Sequence, residues 1–177
     1  MGIDAVSRQV CLLALVLHAG SCGRAPDPAL DTVEEPPRLA AAVNVADPRS
    51  ASQLVSGWHQ IEQSSWRWTA RNFSAVLRPP PAAAKHGAIL RLELTVPEIV
   101  ISELKEVTLT ASIGGRHLAP VTFRQPGSST YQRDVAAALL VGDSVRIDFA
   151  LDKAIPSGKI DLRELGIVVK RLSLETK

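Results

Sequence analysis

Strict period-two alternation constrains this chain more than any other feature in it. Leu90, Leu92, Leu94 and Val96 alternate with Arg91, Glu93 and Thr95. Successive side chains of an extended strand point to opposite faces, so such a segment is a strand with one face in the core and one in water. Val107, Leu109, Ala111 and Ile113 repeat the pattern against Thr108, Thr110 and Ser112, and Val145, Ile147, Phe149 and Leu151 repeat it against Arg146, Asp148 and Ala150. Gly114-Gly115 supplies the positive-φ turn of a tight hairpin. The hairpin's partner, over about 116–123, is interrupted by Pro120, which confines it to an edge or a bulge. Residues 130–139 read as another strand, and 66–78 as one long strand with a bulge near Asn72. No segment carries ten or more residues of helical periodicity. The expected fold is therefore all-β: an antiparallel β-sandwich, jelly-roll-like, of seven or eight strands.

The C-terminal stretch should close the sheet. Leu165, Ile167 and Val169 share one face, whereas Leu172 and Leu174 fall on the other. An extra residue at Lys170-Arg171 would return both leucines to the core, because a β-bulge flips the phase of everything after it. The charged turn ahead of it carries Asp161, Arg163 and Glu164. It reads as an ion-paired structural turn or as a ligand contact. Asp148, Asp152 and Asp161 are too scattered for the six to eight oxygens of a calcium site, and no metal or cofactor is expected.

Charge and cysteine usage narrow the classes further. Over 177 residues the net charge is +2, with acids and bases interspersed, which is no footprint for nucleic acid. Both cysteines, Cys11 and Cys22, precede the alternating segments, so the expected fold has no thiol, disulfide or cysteine metal site. Arg8 is followed by an apolar run over 10–17, and Ala19-Gly20-Ser21 then leads to Cys22. This is a secretory signal pattern over 1–21, far short of the ~20 residues of a spanning helix. Ala19-Gly20-Ser21-Cys22 resembles a bacterial lipobox, in which the cysteine is acylated with chains such as palmitate; the other reading is an ordinary cleaved signal with an incidental cysteine. Several acyl chains would anchor the protein firmly to the membrane. With Gly23 rather than aspartate after Cys22, the expected address is exported and lipid-anchored, with the outer membrane favoured over the inner. Residues 22–54 hold Pro26, Pro28, Pro36, Pro37 and Pro48 and no aromatic residue, which reads as a disordered tether or as a proline-studded edge of the domain at 55–175.

All three tryptophans fall within eleven residues, from 58 to 68. Trp58, His59, Glu62, Trp66, Arg67 and Trp68 form the densest candidate ligand-binding cluster. Indole faces stack on sugar rings, while carboxylate and guanidinium groups hydrogen-bond hydroxyls. The competing reading has Trp66 and Trp68 plugging one end of the sandwich, with Arg67 paired to Glu62 or to an acid of the closing turn. His59, His86 and His117 show no metal or nucleophile spacing, and no serine lies in G-x-S-x-G. The chain is expected not to be an enzyme, a glycan-active carboxylate pair being the alternative.

Gly57-Trp58 with Glu62, then Trp66-Arg67-Trp68-Thr69, the alternating strands, and Asp161-x-Arg163-x-Leu165-Gly166-Ile167 together resemble a small β-sandwich domain appended to bacterial glycosyltransferases and other envelope proteins. That domain is similar to galactose-binding-like, carbohydrate-binding jelly rolls. The resemblance covers about 55–174 and implies the sandwich fold and a glycan partner, but no particular ligand residue. The expected function is a non-catalytic, membrane-anchored binding module for glycan. The alternative partner is an envelope protein, bound by a structural or assembly lipoprotein. A glycan module keeps at least one indole exposed; an assembly protein buries all three.

Overall fold

The structure, a computed structural model, describes residues 39–177. The signal segment, Cys22 and the first part of the tether lie outside the described residues. Among the described residues, ten strands form one continuous antiparallel sheet: β1 (Ala42–Asn44), β2 (Leu54–Glu62), β3 (Trp66–Leu77), β4 (Ala88–Val96), β5 (Val107–Ile113), β6 (Arg116–His117), β7 (Val121–Phe123), β8 (Gly127–Val135), β9 (Val145–Leu151) and β10 (Val168–Thr176). Its main path runs β6-β5-β9-β3-β10-β4-β8. Helix is confined among these residues to α1 (Ala83–His86), α2 (Glu98–Leu104) and two 3-10 turns at Pro48–Gln53 and Ala137–Leu139.

The sheet becomes a sandwich because β3 serves two layers. At Arg67 and Trp68 it pairs with β10; from Asn72 to Leu77 it pairs with β9. Between these, β2 passes from Ser56 opposite Ser74 to Trp58 opposite Thr69, so residues 70–73 of β3 stand opposite Gly57 alone. The bulge expected near Asn72 is this excess of residues. Gly57 permits it. A Cβ there would sit 2.0 Å from the Asn72 carbonyl oxygen, and the backbone has φ +74°. One layer is then β3-β10-β4-β8, the other β3-β9-β5 with β6 and β7. Their buried rows meet in one core that includes Leu90, Leu92, Leu94, Leu109, Ile147 and Phe149.

The closing strand lies in the middle of the main path, between β3 and β4. Its register against β4 shifts between Val169 and Arg171, so the bulge falls at Lys170. Val169 and Leu172 are both fully buried and Leu174 nearly so, while Lys170 and Arg171 are exposed.

Three expectations change. Ten strands replace seven or eight, mainly because β1 and β2 carry no clean alternation. Residues 130–139 do not form one strand: β8 ends at Val135 and a 3-10 turn follows. The tether does not extend to 54, nor does the domain begin at 55. Val43 and Val45 are buried, and β1 pairs with β10 along the edge that β3 leaves. Gln53 fastens this segment, accepting from the Ala40 N–H and donating to the Ala40 and Val76 carbonyls at 2.8–3.0 Å. A buried amide with all three bonds made costs little, and the two valines bury apolar surface in return.

Candidate functional site

The six candidate residues of the β2–β3 hairpin separate into two groups. The first, half-buried like the second, is bonded to other segments and holds the hairpin to the rest of the fold. Trp58 donates its indole N–H to the Ser74 carbonyl at 2.8 Å and meets Phe73 edge-on at 5.1 Å between ring centres. His59 Nε2 lies 2.7 Å from the Glu164 carbonyl oxygen. Arg67 sits beside Val169 in register, where the end of β1 and the register slip of β2 between Trp58 and Ile61 leave carbonyl groups in need of donors. It donates to the carbonyls of Val45 (2.7 Å) and His59 (2.8 Å). Burial pulls its guanidinium below the ordinary value. Arg67 therefore does not pair with Glu62 or with an acid of the closing turn, as the sequence suggested; backbone carbonyls take its bonds instead.

Glu62 pairs with Arg163, Nη1 to Oε1 at 2.8 Å. Arg163 also takes both carboxylate oxygens of Asp161, at 3.0 and 2.9 Å, and its backbone N–H donates to the same carboxylate. The side-chain bonds from Arg163, then its backbone N–H, hold the Asp161 carboxyl at about 2, below its ordinary 3.8. Glu164 accepts from the Arg71 N–H at 2.8 Å. The closing turn is thus clamped to the hairpin by planar, charge-assisted bonds.

Trp66 and Trp68 form the second group. They stand two residues apart on the outer face of the layer, edge to face, with ring centres 6.3 Å apart at 77°. Both are half-buried. Trp68 also packs against the core cluster; Trp66 does not. The register runs Trp68–Val168–Thr95–Ser128 across four strands, so the indoles start a row that ends in hydroxyls. Gln63, Ser65, Pro97 and Lys170 complete an open groove of ≈ 540 Å³. The sequence singled out none of these flanking residues as a site residue; Lys170 was marked only as the bulge. They come from four separate segments that only the sheet register brings together.

The turn at the groove's rim is strained. Gln63 and Ser64 have φ of 49° and 51°, and Ser65 N–H closes the turn on the Glu62 carbonyl at 3.1 Å. A left-handed conformation costs a residue with a Cβ roughly 1–2 kcal/mol. Such turns ordinarily use Asn-Gly, so this one keeps side chains where glycine would be cheaper. Gln63 lines the groove.

No family model matches this chain, and no curated protein matches it. Among solved structures, it is similar to the M60 catalytic domain with the CBM51-1 and CBM51-2 domains of Clostridium perfringens ZmpB, at 11% identity and TM-score 0.38 over 78% of this chain. It is also similar to the CBM51-2 and INT domains of the same protein, at 12% identity and TM-score 0.38 over 77% of this chain. This chain spans 16% and 28% of the length of those two structures. At that identity and TM-score, neither likeness bears on what this chain binds.

Proposed function

We propose that this chain is a non-catalytic glycan-binding module that holds sugar rings in the Trp66/Trp68 groove. The observation that carries the reading is the pair of half-buried indoles on an outer sheet face, flanked by the Thr95, Ser128 and Ser65 hydroxyls and the Gln63 amide. Indoles supply a flat apolar surface for the C–H face of a sugar, and the hydroxyl and amide groups can bond its hydroxyls. Among the described residues the groove lining contains no carboxylate, whereas hydrolysis of a glycosidic bond ordinarily needs two. A glycan array probed with the full chain and with Trp66→Ala/Trp68→Ala tests this. Binding by the parent and loss in the double variant supports it; no binding by the folded parent refutes it.

The module is further proposed to be exported and held on the membrane by an acylated Cys22, with the outer membrane the favoured site. The support is the sequence pattern alone. Cys22→Ala should release the protein from the membrane fraction; identical partitioning of the two forms, with no acyl mass on the parent, would refute the anchor.

A second reading, an assembly protein that docks an envelope protein, draws on one observation. Leu162 is 92% exposed and Ile160 48% exposed, both on the closing turn. Under that reading Leu162→Ser removes partner capture and leaves the array result blank in both proteins.

A further inference from the structure

We propose that the Trp66/Trp68 groove selects acidic saccharides, those carrying a carboxylate such as a uronic or sialic acid, and that Lys170 reads the carboxylate. The inference rests on the glycan reading of the groove. It starts from the bulge in β10. Val169 and Leu172 are both fully buried on the core side, with two residues between them. In a regular strand, two consecutive side chains take opposite faces. Here the register shift between Val169 and Arg171 puts Lys170 and Arg171 on the same outer face, and both are exposed.

The bulge is anchored. The Lys170 carbonyl accepts the Val45 N–H at 3.1 Å, and Val45 is itself buried. The base of the Lys170 side chain is thus held beside the indoles, while its ammonium stays free to reach a ligand. Among the described residues, Lys170 is the one ionisable residue lining the groove. No acid within ion-pair distance engages it among the described residues, whereas nearby Arg91 is engaged by Glu175 at 3.3 Å. Glu93, opposite Arg171 in register, lies on the same layer but does not line the groove and makes no ion pair with Lys170 among the described residues. The groove is therefore left with one unspent positive charge and no negative one.

That combination fits a ring with an anionic substituent. The indoles bind the ring, and the ammonium, a compact charge on a flexible stem, accepts a carboxylate without demanding a bidentate approach. A bare phosphate could meet the ammonium but would make no use of the indoles.

The test uses the full chain and matched oligosaccharide pairs: glucuronate- against glucose-ended, galacturonate- against galactose-ended, and sialylated against unsialylated lactose. Inorganic phosphate serves as competitor. At low salt the carboxylated member of at least one pair should bind about tenfold tighter, as expected for a hydrogen bond to a charged group. The preference should shrink at about 0.5 M salt, and Lys170→Met, which keeps the stem, should erase it. Equal binding of both members, or a preference that survives Lys170→Met, overturns the inference and leaves the glycan reading standing. Binding of neither member overturns both. Displacement of the acidic saccharide by millimolar phosphate, with neutral saccharides failing to compete, shows a simple anion site and overturns saccharide selection.

Discussion

Trp58 and the Trp66–Trp68 pair come from one hairpin and end in different surroundings. Trp58 lies on the irregular strand, where β2 slips its register against β3 three times. The slips turn its ring onto Phe73 and bring its N–H to the Ser74 carbonyl. Trp66 and Trp68 lie on the regular end of β3, where two-residue spacing keeps both on the outer face. Among the described residues neither N–H has a protein acceptor, whereas that of Trp58 is satisfied. An indole with a protein partner serves the fold. One without such a partner, beside hydroxyls and solvent, is available to a ligand.

The largest effect is expected at Gly57, the residue that lets β2 cross the β3 bulge. Gly57→Ala adds a methyl 2.0 Å from the Asn72 oxygen at φ +74°. Strain and overpacking together should cost about 2–5 kcal/mol, a large share of the ~5–15 kcal/mol typical of a domain. Chemical denaturation measures it. A midpoint within error of the parent would show that the bulge is not the hinge between the layers.

The tryptophans themselves come next. Trp58→Phe keeps most of the ring and strands the Ser74 carbonyl, which should cost about 1–3 kcal/mol. Trp66→Ala removes a half-buried ring that does not pack on the core and should shift stability by less than about 1 kcal/mol. Thermal melts of the two variants side by side check the order. A larger loss from Trp66→Ala would mean that the outer indoles hold the fold.

The smallest effect sharpens the same contrast from the closing turn. Asp161 is held at about 2 in the fold against an ordinary 3.8. A depressed carboxyl stabilises the folded state above its unfolded value, and that contribution is lost as pH falls through about 2. Melting temperature should therefore rise with pH between about 2 and 4, and Asp161→Asn should flatten the rise. The pair is partly exposed, so the change is modest. Identical pH profiles for parent and variant would show that the clamp from Asp161 to Glu62 does not couple the turn to the hairpin.

The sheet was legible because alternation is a property of single strands. β4, β5 and β9 could be read residue by residue, and even the bulge at Lys170 followed from Leu172 and Leu174 being out of phase. β2 was not legible, because its slips and its positive-φ glycine destroy the period. β1 is three residues in a proline-rich context, and only Val43 and Val45 hint at it. Half of the candidate site was visible, as two tryptophans two residues apart. The other half was not, because Thr95, Ser128 and Lys170 meet the indoles only through the register of four strands.

Fluorescence titration with an array-identified oligosaccharide tests the central claim most directly, run on the parent, on Trp58→Phe, and on Trp66→Ala/Trp68→Ala. The emission change on binding should persist in Trp58→Phe and vanish, together with binding, in the double variant, which melts below the parent because Trp68 packs on the core but still unfolds cooperatively above the assay temperature. If instead the change vanishes in Trp58→Phe while the double variant still binds, the ligand sits on the inward face, and the division of this hairpin into a structural indole and a binding pair is wrong.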